Sequence, residues 1–509
     1  MKRIIKRIPW AHRCLSLHLV ICSSSCVAED LVAQPNVQQV QHRITFSYDH
    51  TTLPHAETMG LLGTAYLVQP LKNFSTGLGI YSAVVGRRGG FFTGGIESEI
   101  QSPLWRAWAW RAGLFMGGGG GGAAPQGGGL MMRPHVGLAY RNQAVQYGLS
   151  WSRVWFPNGE IDSTQLSLSG AWQYVDVWRA GWLFAAEKNN VPSSVTTQRR
   201  QLAMQHQWYF APSATYRRAR ATDARATPPI ELIGVRWRVD DNAPWIYEWQ
   251  ALGAWGGGAD GYAEIAGGIG AKTSMSAWGE GYVLLSAGAA GGGGVDTAGG
   301  GIVRTAVGGN LGGRHLRLFA EGGYLSSIEG HYAAYTAAMG LGYVYGTPVA
   351  MSTPVAWQAL RVRPAMQRYY IDPRATTPVA RTVDLVALKL DWFLTSEWYL
   401  SGWSSAAFDG GVGGYATGLM GAGWCAYGGA NLSITGELAL GAAGGGGMAV
   451  GAGAVLQPML NMYYRLDRSW DATLGAGRLQ PVAGEFAAWV FDLGVALRFS
   501  SPRAPLMAD

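Results

Sequence analysis

WVFDLGVALRF, residues 489–499, places Trp489, Phe491, Leu493, Val495, Leu497 and Phe499 at alternate positions, with Val490, Asp492, Gly494, Ala496 and Arg498 between them. A period of two marks an extended chain, whose successive side chains point to opposite faces. One face needs an apolar medium, and the other tolerates small or charged groups. The pattern recurs in TQLSLSGAWQY (164–174), VQYGLSWSRVW (145–155) and WRAWAWRAGLFM (105–116). These segments exceed the roughly 5 or 6 residues of an average soluble strand and match the roughly 9 to 11 that a tilted strand needs to cross hydrocarbon.

Composition points the same way. The chain has 75 glycines and 22 tryptophans, and 14% of its residues are charged, against about a quarter in ordinary soluble proteins. Residues 410–436 and 438–464 carry no charge at all, yet both are rich in glycine, each costing a helix interior about 1 kcal/mol relative to alanine. Leu432, Ile434, Leu438 and Leu440 share one face there, so strand is expected rather than helix.

Residues 1–28 read as a secretory signal peptide: five basic residues, a short apolar run and the small-residue pattern Cys26-Val27-Ala28. Subtracting those five charges from the formal +7 leaves +2, which removes the main support for nucleic-acid binding. Cys425 is the one cysteine past this segment, which excludes an internal disulfide and a cysteine-based zinc site.

The chain also repeats itself. GGGG at 119–122 precedes GGG at 127–129; GGGG at 291–294 precedes GGG at 299–301; GGGG at 444–447 precedes GAG at 451–453. Phe91, Tyr262 and Tyr415 correspond, as do Gly90, Gly261 and Gly414, and Ile161, Tyr332 and Phe486. Three copies are expected at about 59–175, 230–346 and 383–499. Copies of one orientation need an even number of antiparallel strands, so each must borrow one from its connector (43–48, 179–211 and 355–371). The total is about 24 strands, within a range of about 22–26.

Export signal, long alternating strands, aromatics at the segment ends and a last strand ending in an aromatic together resemble a Gram-negative outer-membrane β-barrel protein. The resemblance is architectural and matches no specific family's motif. It implies an all-β fold: one large antiparallel transmembrane barrel over 42–499, a short periplasmic segment at 29–41 and a C-terminal tail at 500–509 that follows the terminal aromatic Phe499. It also implies contact with outer-membrane lipid and with the barrel-assembly machinery. The face of 489–499 bearing Trp489 would meet hydrocarbon, and the Asp492 and Arg498 face the lumen. Three smaller barrels in tandem and soluble all-β domains are the alternatives.

No histidine lies in HExxH and no serine in GxSxG, so no catalytic residue, metal ligand or cofactor is assigned and the chain is not expected to be an enzyme. The nearest constellation is Asp49, His50, His55 and Glu57 in YDHTTLPHAE (48–57), a possible base and carboxylate or simply a polar loop. Gly119, Gly127, Gly291, Gly299, Gly444 and Gly451 open the glycine runs; without a following Lys-Ser/Thr they read as places where the wall kinks or something approaches it closely. Arg236 and Arg238 share a strand face, as do Arg361 and Arg363. Arginine facing lipid costs about 2–4 kcal/mol, so these four are expected to line a pore, favouring anionic solutes or polysaccharide, unless Asp240, Glu248 and Glu264 neutralise them. The expected function is a passive diffusion or export pore; a non-conducting interaction or adhesion barrel and an outer-membrane hydrolase are the alternatives. Residues 29–41 leave no room for a plug or a periplasmic module.

Overall fold

The computed structural model describes residues 37–503 apart from 104, 183–196, 212–228, 241–243, 274–278, 314, 349–355, 373–380, 430 and 485. The expected signal peptide (1–28) lies outside the described residues, as do 29–36, 504–509 and most of the polar connectors.

Period-two sequence produces strands of 10 to 19 residues. The first eight, β1 (Val37–Thr52), β2 (Thr58–Leu71), β3 (Phe74–Val85), β4 (Phe92–Gln101), β5 (Trp108–Gly120), β6 (Met131–Asn142), β7 (Val145–Trp155) and β8 (Asp162–Ala180), form an antiparallel sheet that closes through a β1–β8 pairing. The next eight are β9 (Thr197–Phe210), β10 (Ile230–Asp240), β11 (Trp245–Gly256), β12 (Ala263–Lys272), β13 (Gly279–Gly291), β14 (Gly301–Gly312), β15 (Leu316–Ser327) and β16 (Ala333–Pro348), a second closed barrel. The last eight, β17 (Ala356–Ile371), β18 (Thr382–Phe393), β19 (Trp398–Asp409), β20 (Ala416–Gly428), β21 (Leu432–Gly444), β22 (Ala454–Arg465), β23 (Trp470–Pro481) and β24 (Ala488–Arg503), close through β17–β24.

The expectation of one large lumen is therefore corrected. The 24 strands fall within the expected number, but the hydrogen bonds close the sheet every eight strands instead of once. Among the described residues the only ladder between barrels is the pair of contacts Phe499↔Ala180 and Ser500↔Arg179 at the ends of β24 and β8. Two boundaries also move: β1 begins at Val37 instead of 42, and β24 runs on to Arg503, so 500–503 belong to the wall instead of a tail.

Each barrel is polar within and apolar without. Along β7, Tyr147, Leu149 and Trp151 point out while Gln146, Ser150 and Ser152 are buried inside. Leu168, Val307 and Leu493 are each about two-thirds exposed (64%, 65% and 66%). Aromatic residues border this band. Near the end where the chain enters and leaves the barrels stand Trp108, Tyr140, Trp245, Tyr343, Trp398 and Trp424; near the opposite end stand Phe210, Tyr324, Tyr335, Tyr370 and Trp489. Part of the face read as lipid-facing in 489–499 is instead covered: Phe499 stacks on Trp178 of the first barrel at 4.4 Å.

The end opposite the termini, called the glycine end below, is sealed from inside. Leu61, Phe91, Phe115, Phe156 and Ile161 form a buried apolar cluster in the first barrel. Leu232, Tyr262, Ile302 and Tyr332 do so in the second, and Leu385, Tyr415, Val455 and Phe486 in the third.

The glycine runs join the barrels. A Cβ at Gly291 would lie 2.2 Å from the Gly90 nitrogen, one at Gly444 2.4 Å from that of Gly261, and one at Gly414 2.8 Å from that of Gly121. In each pair the end of a fifth strand, or the residue after it, meets the loop after the third strand of another barrel. First meets second, second meets third and third meets first: a closed, heterologous ring within one chain. Gly89 N–H donates to the Ala298 carbonyl at 2.6 Å across the first seam, and the Gln126 amide donates to the Gly413 carbonyl at 3.0 Å across another. The second runs serve the turn beyond. Gly127 and Gly451 have φ of 60° and 70°, and Ala298, at 48°, occupies that conformation in the second barrel, so Gly299 stands one residue off the alignment read from sequence.

Candidate functional site: the barrel interiors

Alternation puts every second strand residue inside, and an eight-stranded barrel is just wide enough for side chains to fill. In the first barrel the Arg133 guanidinium clasps Asp49, Nε to Oδ2 at 2.9 Å and Nη2 to Oδ1 at 3.0 Å, while Ser152 donates to the same carboxylate at 2.6 Å. Glu99 sits 2.7 Å from Arg43 and 3.7 Å from Arg111. Tyr81 donates its hydroxyl to Glu97 at 2.9 Å.

The four arginines expected to line a pore all point inward, but the structure does not bring them together. Arg236 and Arg238 lie in the second barrel. Arg236 donates to Glu321 at 2.6 and 2.8 Å and lies 3.3 Å from Glu248; Arg238 donates to Glu248 at 2.6 Å. Arg361 and Arg363 lie in the third. Arg361 donates to Asp391 at 2.6 Å, and Arg363 to Asp391 at 2.8 Å and Glu437 at 2.6 Å. Glu248, named as a neutralising partner from sequence, holds that role; Glu264 instead accepts from Tyr209 at 2.6 Å, and the Asp240 side chain lies outside the described residues.

Partners that sequence reasoning missed complete the balance. Among the described residues, the buried charges of the first barrel are three cations (Arg43, Arg111, Arg133) against three anions (Asp49, Glu97, Glu99). Again among the described residues, the second holds four arginines (236, 238, 304, 317) against four glutamates (248, 264, 280, 321), and the third Arg361, Arg363, Lys389 and Arg498 against Asp391, Glu437, Asp471 and Asp492. Lys389 pairs with Asp492, and Arg498 lies 2.9 Å from Asp471. The signal was in the sequence, since each of these sits on the inward phase of a strand, but matching them needs the eight-strand closure.

The constellation considered for hydrolysis comes apart. Asp49 is held by Arg133, Glu57 is paired with Arg88 through two hydrogen bonds, and His50 and His55 are exposed. No group of three or more histidine, cysteine or acidic side chains among the described residues is placed to hold a metal ion.

A long-stranded antiparallel wall, apolar outside between aromatic borders and polar within, is the architecture of an outer-membrane β-barrel protein. No protein-family model matches the chain, and no curated protein matches its sequence. Among solved structures the chain aligns with a bacterial polysaccharide outer membrane secretin (8% identity, 90% of this chain and 98% of that one, TM-score 0.20). It also aligns with a ferric enterobactin receptor of Pseudomonas aeruginosa (9%, 90% and 81%, TM-score 0.27) and the outer membrane protein opdK of the same organism (10%, 91% and 99%, TM-score 0.22).

Proposed function

We propose that this chain is an outer-membrane protein in which three fused barrels, closed to free diffusion, form a membrane-embedded platform for interaction. One observation carries the reading: each interior is occupied by charge-balanced, hydrogen-bonded side chains and is sealed by an apolar cluster at its glycine end. A balanced, filled interior has neither the width nor the unpaired positive charge that an anion-selective pore needs. The longer loops lie at the glycine end and are read as the extracellular face, where a surface polymer or a neighbouring protein would dock. The same reading takes the barrels as copies of one eight-stranded unit, and assembly into the membrane as the work of the barrel-assembly machinery.

A pore remains the second reading, favoured by one feature: the first barrel opens at its terminal mouth into a polar cavity of ≈ 210 Å³. Conductance separates the two. Purified protein in planar bilayers is expected to show no steady current above the lipid baseline. Steady current whose anion preference is weakened or reversed by Arg236→Glu with Arg238→Glu would replace the platform with the pore and return those arginines to a lining role.

A further inference from the structure

The terminal mouths of the first and third barrels are not equivalent. In the third barrel the mouth is stoppered from outside that barrel, by Trp182 of the segment leaving β8. Its ring lies 5.6 Å from the Arg361 guanidinium and 5.3 Å from that of Arg498, packs on Phe393 at 4.4 Å, and its indole N–H donates to the Leu360 carbonyl at 3.0 Å. In the first barrel the corresponding space is the ≈ 210 Å³ cavity, whose volume suits a single sugar ring.

Its lining has a definite chemistry. Gln41, Gln69, Gln101 and Gln173 face it together with Arg43 and Arg141, and Asn73 and Ser75 form the lip. No carboxylate is among the lining residues. The floor is built rather than loose. Arg43 is 5% exposed and is held by Glu99 at 2.7 Å and by the Gln101 side-chain oxygen at 2.9 Å. The Gln41 amide donates to Gln173 at 2.8 Å, and the Gln173 amide to Gln146 at 2.9 Å. Two buried donors beside this network, the Arg43 Nε–H and the Gln146 amide NH2, have no hydrogen-bond partner, in a site where such groups are normally satisfied.

We infer that the terminal mouth of the first barrel binds a hydroxyl-rich monoanion of monosaccharide size, a sugar acid. Each glutamine offers both an amide donor and a carbonyl acceptor, the pairing that a hydroxyl group uses. The two arginines supply planar donors suited to a carboxylate. The ligand enters from the side where the chain begins, and the apolar seal at the far end keeps the site blind.

The test is titration of the purified protein in detergent with glucuronate, followed by calorimetry, with glucose and acetate as comparators. Saturable glucuronate binding at one site per chain is expected, weakened about tenfold or more, some 1.4 kcal/mol, when either the carboxylate or the hydroxyl groups are absent. Ser75→Trp, which fills the mouth from its lip without touching the ion pairs, is expected to abolish binding, and Arg43→Gln to weaken it at least tenfold. Heat-modifiable migration of both variants shows that they fold. Absence of saturable binding to the wild-type protein, or binding that Ser75→Trp leaves unchanged, overturns the assignment. Neither result bears on whether the barrels conduct.

Discussion

At the scale of single residues, the interiors show what a membrane barrel does with charge. The buried arginines are matched by carboxylates that reach them across the barrel interior, several from strands that are not neighbours, so removing one partner strands the other where water does not reach. Asp49→Ala leaves the Arg133 guanidinium unpaired and is expected to cost about 3–5 kcal/mol, read as a lowered urea midpoint by tryptophan fluorescence in detergent. Asp162→Ala removes a still shorter pair with Arg153, at 2.6 Å, but that pair is half-exposed (48% and 49%), and its loss is expected to cost no more than about 1 kcal/mol. Equal costs would show that the first interior is as wet as the surface. The inward phase of Arg236, Arg238, Arg361 and Arg363 was legible in the sequence because alternation fixes it. Their burial was not, because the acids that hold Arg236 and Arg363 come from strands as far as 85 residues away.

At the scale of elements, the same limit explains the barrel count. Strand length, alternation and the aromatic borders are local and could be read directly; β1, β9 and β17 even lie in the connectors from which a strand had to be borrowed. Closure is a backbone pairing between the first and eighth strands of a set, which leaves no side-chain pattern distinguishing three circles of eight from one of 24. The glycine runs held the clue. A wide lumen gives no reason for a fifth strand to end in bare backbone, whereas a neighbouring barrel pressed against it does. Gly291→Ala adds a methyl group 2.2 Å from the Gly90 nitrogen at a positive φ of 152°, and Gly444→Ala one 2.4 Å from the Gly261 nitrogen. Together they are expected to loosen the ring by roughly 1–3 kcal/mol per site while each barrel stays folded. Gly402→Ala, where nothing lies within 4 Å, is the control and is expected to be neutral. Native gels after cleavage at protease sites inserted within 183–196 and 349–355 read the difference: control fragments co-migrate and the double variant's separate. Co-migration of the double variant's fragments would show that the glycine seams do not hold the ring.

At the scale of the whole molecule, the protein is a wall of apolar surface around three separately closed interiors. Unheated samples are therefore expected to migrate faster than boiled ones in detergent gels, and Trp182→Ala is expected to leave that migration unchanged while admitting solvent to the third barrel's mouth. Acrylamide quenching of tryptophan emission would not detect this cleanly, because Trp182 is itself removed. Hydrogen exchange at the amides of β17 and β24 would, and exchange as slow as in the wild type would mean that Trp182 is no stopper. A ring assembled from three identical chains must give all its members the same mouth. Here one polypeptide supplies all three, so a tryptophan can block one opening while another stays vacant, and the difference survives any dilution because no member can leave or be exchanged. The stoichiometry of whatever enters the first mouth is thereby set by the single polypeptide at one per assembly, and the third barrel, blocked by Trp182, is free to serve as wall alone.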